Sequence, residues 1–172
     1  MTLRNVGLTV AALLVLAGGV GAEDFGILNQ YEPEEGVLFG GQPTAEQVEA
    51  MAEAGVKTVI DLRGETEGRG YDEVAVMAAA GLRYVPIPVT GETMLEASTF
   101  ETFLEVFTTA EKPLLVHCAS GNRVGALYYA YLVAEKEMSR DDALEAAKAN
   151  GLRSEALIEP VDAWLAGRPS AH

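Results

Sequence analysis

The chain has 172 residues, a length suited to one domain, and 49% of them are hydrophobic, enough to bury a core of normal size. Its formal charge is −14. That balance excludes nucleic acid as a partner and disfavours anionic membrane surfaces, because both carry the same sign.

The N-terminus reads as a secretory leader. Arg4 supplies a positive start, Val6 to Ala17 is an uncharged apolar run, and Val20-Gly21-Ala22 places compact residues before Glu23-Asp24. The run is short for a bilayer span, so cleavage after Ala22 is expected rather than a permanent anchor. The mature protein is then periplasmic or secreted, without stable membrane insertion, and losing Arg4 takes its charge to −15. No cysteine stands directly after the cut, which argues against a lipidated N-terminus.

Residues 23–35 are acidic and turn-rich and read as an arm leading into a domain at 36–167, with 168–172 a flexible tail. Val37-Leu38-Phe39 is a short apolar strand. After Gly40-Gly41-Gln42-Pro43, Thr44 caps a helix with Gln47 as its capping-box partner, and Gly55 stops it. Val56 to Leu62 is a buried strand rich in β-branched residues. A loop with three glycines leads to a helix from Tyr71 to Ala80. Arg83 to Val89 is the next strand, made edge-like by Pro86 and Pro88.

Ser98 or Thr99 caps a helix whose Phe100, Phe103, Leu104 and Phe107 fall at helical spacing, and Lys112-Pro113 ends it. Leu114-Leu115-Val116 is a compact strand. Helices follow from Asn122 to about Glu137, from a Ser139 cap to Gly151, and from about Ser154 to Leu165. Strand and helix alternate, which predicts an α/β fold with a mainly parallel sheet of about four to five strands flanked by helices. The last three helices should cluster at one side of it.

Val116-His117-Cys118-Ala119-Ser120-Gly121-Asn122-Arg123 sits where a strand ends and a helix begins. In parallel sheets ligands bind outside the carboxyl ends of the strands. Backbone N–H groups converge there, the helix N-terminus adds partial positive charge, and Gly121 permits the tight turn. Arg123 adds a planar fork for two oxygens of a phosphate or similar group. The same field favours a thiolate at Cys118, the sole cysteine, which has no disulfide partner in the chain. One short segment therefore offers a nucleophile and an oxyanion cradle.

His117 through Arg123 resembles the active loop of cysteine-dependent protein tyrosine and dual-specificity phosphatases. Gly40-Gly41-Gln42-Pro43-Thr44, Val59-Ile60-Asp61-Leu62-Arg63 and Tyr84 to Val89 extend the match. The wider pattern is similar to the bacterial phosphatase-like domain found beside beta-lactamase-like hydrolases. The resemblance implies a phosphatase-like fold, Cys118 as phosphate-accepting nucleophile and Arg123 as the clamp on the phosphoryl oxygens. His117, Ala119, Ser120, Gly121 and Asn122 would form the substrate loop, with no metal or cofactor. The implied substrate is a phosphorylated small molecule or protein, phosphotyrosine among the candidates.

Three departures keep rival readings open. Four residues separate Cys118 from Arg123, where phosphatases have five; four is the rhodanese-type spacing, and a Cys118 persulfide would make a sulfurtransferase. Val124 stands where phosphatases carry Ser or Thr. No Asp occupies the expected acid position, leaving Glu92 as the near candidate and Glu96 behind it. The last two departures also fit a non-catalytic anion-binding module.

His117 reads as a loop-ordering residue. With His172 at the C-terminus and one cysteine, no zinc constellation forms. Arg63, Glu65, Glu67, Arg69 and Asp72 crowd one strand-end loop. They read as a salt-bridged solvated loop, with a substrate rim as the alternative, and Asp61 as a structural cap or an acid.

Overall fold

The computed structural model describes residues 23–91 and 93–168. The leader, Glu92 and the tail beyond Arg168, including His172, lie outside the described residues. Five strands form one sheet: β1 (Tyr31–Glu34), β2 (Val37–Gly40), β3 (Thr58–Asp61), β4 (Arg83–Pro86) and β5 (Leu114–His117). Their order is β1-β2-β5-β3-β4, with β2, β5, β3 and β4 parallel and β1 antiparallel to β2. Strand β1 lies inside the stretch expected to be an arm. Its four residues are only half-buried, with Tyr31 packed against the core, and β2 pairs with it across a two-residue turn.

The central strands are apolar at successive positions because both sheet faces are covered. Val37, Phe39, Leu114, Val116 and Ile60 point to one face, and Leu38, Leu115 and Val59 to the other, by the two-residue period of a strand. The second face packs against α1 (Ala45–Glu53) and α2 (Glu73–Ala79) through Val48, Met51 and Met77. The first carries α3 (Ala97–Thr109), α4 (Asn122–Ala134), α5 (Arg140–Ala149) and α6 (Ile158–Gly167). Phe39, Phe103, Phe107, Tyr128 and Tyr131 pack there in edge and stacked contacts. The last three helices thus gather on one side. α4 is buried from Val124 to Leu132, as a helix wedged between a sheet and three other helices must be.

The expected caps form at Thr44, with Gln47 completing the box, and at Ser139. Elsewhere the boundaries move. The N-cap of α2 is Asp72, whose side chain accepts from Ala75 N–H, so Tyr71 precedes the helix. α3 begins at Ala97 after Glu96; Thr99 lies within it, buried, and its hydroxyl donates to Thr93 O at 2.7 Å. Strand β4 stops at Pro86 on the sheet edge, where the missing proline N–H costs no ladder bond. Among the described residues no helix is long and apolar enough to cross a membrane.

Candidate active site

Parallel register brings Gly40, Asp61, Pro86 and His117 to one level at the carboxyl end of the sheet. Beyond His117 the chain turns through Cys118–Gly121 into α4. Gly121 has φ +82°, a left-handed conformation that residues with a Cβ adopt only at a cost, and it makes no side-chain cap. The first-turn amides of α4 are left for a ligand at the positive end of the helix dipole.

The loop carbonyls turn outward and are held there. Ala119 O accepts from Gln42 N–H at 3.4 Å, and Ser120 O from Asn29 Nδ2 at 3.0 Å and Arg153 Nη2 at 2.6 Å. The inward side carries donors: Gly121 N–H points at Cys118 Sγ, 3.2 Å away. Cys118 is buried, whereas Ala119 is exposed, so the loop closes over the sulfur at the protein surface.

Arg123 reaches the loop from the first turn of α4. Its Nη1 donates to Glu67 Oε1 at 2.6 Å, Val89 O at 2.9 Å and Leu62 O at 3.2 Å, and its Nη2 donates to Glu67 Oε2 at 2.7 Å. One edge of the guanidinium is thereby anchored. Nε–H and the second Nη2–H lie along the adjacent edge, a second two-pronged fork. The Glu67 hydrogen bonds raise the pKa of Arg123 against the opposing effect of burial, with the Cys118 sulfur adding to the rise. Glu67 responds in the opposite sense. Its bonds to Arg123, aided by the Gly64 N–H, outweigh partial burial and bring its carboxyl from 4.5 to about 2.

Glu67 was legible only as part of a charged loop, and nothing local marks it as Arg123's partner. Arg69 lines a cleft with Arg63, Glu65 and Tyr84, while its donors are taken within the protein. Its guanidinium bonds Asp61 Oδ2 at 2.7 Å and Glu73 Oε2 at 2.8 Å, and it donates to the carbonyls of Arg63, Gly64 and Glu67. Arg63 Nη2 donates to Gly68 O at 2.6 Å, within the same loop.

Beneath the loop is a buried polar cluster. Asp61 accepts from Arg63 N–H, Arg69 and the Tyr84 hydroxyl, so its contacts are those of a structural cap. Burial pushes its carboxyl up, but His117, Tyr84, Arg69 and the Arg63 N–H together hold it below the ordinary value. Glu73 accepts from Arg69, Gln42 and Tyr71. His117 Nε2 lies 3.3 Å from Glu73 Oε1 and 3.8 Å from Asp61 Oδ1. The ligand atoms of Asp61, Glu73 and His117 come within 4.8 Å of one another, a spacing that a metal ion could use. The Arg69 guanidinium already supplies positive charge to both carboxylates.

Ala119 to Gly121 form the turn from β5 into α4, and the Asn122 side chain is turned to the segment after α5. Its Oδ1 accepts from Arg153 N–H at 2.7 Å and Ser154 N–H at 3.2 Å. Beside Arg123 lies a cleft of about 600 Å³, lined by Thr66, Glu67, Val89, Thr90, Met94 and Leu157 among others. Glu96 is exposed and precedes α3, and Gly91, the residue before Glu92, lines the cleft.

A mainly parallel sheet with a cysteine–arginine loop at its carboxyl edge defines a phosphatase-like domain of the tyrosine and dual-specificity class. Residues 22–159 match the family model described as a DSP-PTPase phosphatase fused to NAD+ kinase, and the chain belongs to that family. A beta-lactamase hydrolase-like protein of Xylella fastidiosa is 35% identical over 121 residues, which are 68% of this chain and 28% of that protein. The chain therefore spans little more than a quarter of this relative's length. NAD kinase 2, chloroplastic, of Arabidopsis thaliana is 31% identical over 98 residues, 55% of this chain and 10% of that protein.

Among solved structures, a candidate phosphatase from Neisseria meningitidis has 26% identity and a TM-score of 0.65, covering 80% of this chain and 99% of its own. P. aeruginosa TpbA in complex with pTyr has 22% identity and a TM-score of 0.63, covering 89% and 91%, a likeness of fold alone. The family read from the loop motif and the fold read from strand–helix alternation both agree with these matches.

Proposed function

We propose that the chain is a cysteine-dependent phosphatase acting on phosphate monoesters, exported after cleavage at Ala22, with Cys118 as nucleophile. The observation that carries the reading is the inward Gly121 N–H on Cys118 Sγ beside an Arg123 that Glu67 holds against the same sulfur. The Cys118 thiolate attacks phosphorus, and the bond to the leaving oxygen breaks. Arg123 and the loop amides hold the equatorial oxygens as charge builds on them. The departing oxygen takes a proton from an acid, for which we propose Glu92. Water then attacks the cysteinyl phosphate, the S–P bond breaks, and phosphate leaves with the thiolate restored. The cleft beside Arg123 offers Val89, Met94 and Leu157 to an apolar or aromatic leaving group, which supports phosphotyrosine-type esters as substrates.

The test is release of nitrophenol from an aryl phosphate by the purified protein, with thiosulfate plus cyanide offered separately. Phosphatase turnover that disappears in Cys118→Ser is expected. Thiocyanate formation without phosphate release would transfer the assignment to sulfur transfer, and failure of both reactions would leave an anion-binding module. N-terminal sequencing of the protein recovered from periplasm tests export, with Glu23 expected as the first residue.

A further inference from the structure

One peptide group of the Cys118 loop is gripped from both ends. Its N–H, on Gly121, donates to Cys118 Sγ at 3.2 Å. Its carbonyl, on Ser120, accepts from Arg153 Nη2 at 2.6 Å and Asn29 Nδ2 at 3.0 Å. A trans peptide is planar with its C=O and N–H opposed, so whatever fixes the carbonyl also aims the N–H. A charged donor on the carbonyl further polarises the amide and strengthens the bond at its far end.

Arg153 is brought to this position by a dedicated dock. Asn122 Oδ1 accepts from the N–H groups of Arg153 and Ser154, which ties their segment to the first turn of α4. Gly125 lets Leu152 press against that helix: a Cβ at Gly125 would run into the Leu152 backbone nitrogen. The guanidinium is exposed, yet among the described residues it forms no ion pair, in a chain with 26 acidic residues. Its hydrogen bonds go to Ser120, to the carbonyl and, at 3.4 Å, to the hydroxyl.

We infer that Arg153 is a positioning residue: through the Ser120–Gly121 peptide it aims and polarises the N–H that stabilises the Cys118 thiolate. The inference rests on Cys118 being the nucleophile. It also gives the shortened loop a cation on its outer side, complementing Arg123 on its inner side.

The sole cysteine makes the test direct. Thiolate absorbance in the ultraviolet, taken as the difference between each protein and its Cys118→Ser counterpart, reports one sulfur against pH. Arg153→Ala should raise the titration midpoint by about 0.5–1 pH unit and lower kcat near neutral pH. Arg153→Lys, which keeps a charged donor, should recover part of the shift, and Arg153→Gln, which keeps an uncharged one, less of it. Arg83→Ala is the control. It removes the same charge from an exposed site at the amino end of β4, at the far end of the sheet, and should leave the midpoint in place. Midpoints within error of wild type for all three Arg153 variants would overturn the inference while leaving the phosphatase reading intact. Phosphatase turnover surviving Cys118→Ser would instead remove the reading on which the inference rests.

Discussion

Glu67 and Arg123, 56 positions apart in sequence, meet through both carboxylate oxygens, at 2.6 and 2.7 Å. The pair consumes one fork of the guanidinium and presents the other to the Cys118 loop. Leu62 O and Val89 O, from the ends of two chain segments on the β3 side of the sheet, complete the grip. In the proposed reaction the arginine would therefore be oriented before phosphate arrives, which is how a preformed cradle avoids reorganisation.

Glu67→Gln should leave the fold intact and lower kcat/KM for an aryl phosphate by about 10- to 100-fold, since small misplacements of a catalytic group carry costs of this order. Glu65→Gln, an exposed neighbour, should change it little. Steady-state kinetics of the two variants decide the matter. Equal rates would show that Leu62 O and Val89 O suffice to hold Arg123.

The same pair sets a pH dependence of stability. Glu67 falls from 4.5 to about 2 on folding, so the unfolded chain binds its proton more tightly than the folded one. Its contribution is fully present above pH 4.5 and is lost as the pH falls towards 2. Urea unfolding of wild type and Glu67→Gln should show a gap that is constant above pH 4.5 and shrinks on acidification through that window. A gap that widens on acidification would contradict the assignment.

Gly125→Ala should destabilise by about 1–3 kcal/mol, the usual cost of overpacking, because the new methyl meets the Leu152 backbone rather than a flexible side chain. The displaced segment also carries Arg153, so a lowered turnover should accompany the fall in urea midpoint. A helix that tolerated alanine here, with the propensity gain unopposed, would mean that Leu152 can withdraw without cost.

What the sequence reveals about this site is whatever local chemistry encodes. Thr44 with Gln47, Gly55 after α1 and the run from Val116 to Arg123 each announce a cap, a stop or a loop through residues a few positions apart. The partners of those residues are another matter. β1 forms because β2 offers it an edge, and neither YEPE nor its acidic surroundings record that pairing. Glu67, Glu73 and Arg153 lie 56, 44 and 33 positions from the residues they serve, Arg123, His117 and Ser120. Crossover connections of the parallel sheet bring the first two pairs together, and the antiparallel packing of α4 and α5 brings the third. Glu73 shows the difficulty well: on the surface of a short helix by composition, it is buried because α2 faces the strand ends.

That burial makes Glu73, like Asp61, a sensitive carboxylate to remove. Its Oε2 accepts from Arg69 Nε at 2.8 Å, while Oε1 accepts from Gln42 Nε2 at 3.1 Å and faces His117 Nε2. Glu73→Gln keeps the shape but replaces one oxygen with an NH₂ group, so whichever way the amide turns, a donor meets a donor. It also leaves Arg69 with a single carboxylate, on Asp61. Breaking a buried pair from one side commonly costs about 3–5 kcal/mol. Tyr71→Phe, which removes one hydroxyl from the same cluster, should cost nearer 1 kcal/mol, the net value of an ordinary hydrogen bond. Because Glu73 lies beside His117, the residue before Cys118, thermal unfolding should be read alongside turnover of the folded fraction. A Glu73→Gln protein as stable as wild type would show that Asp61 alone retains Arg69, and that the cluster is looser than its geometry implies.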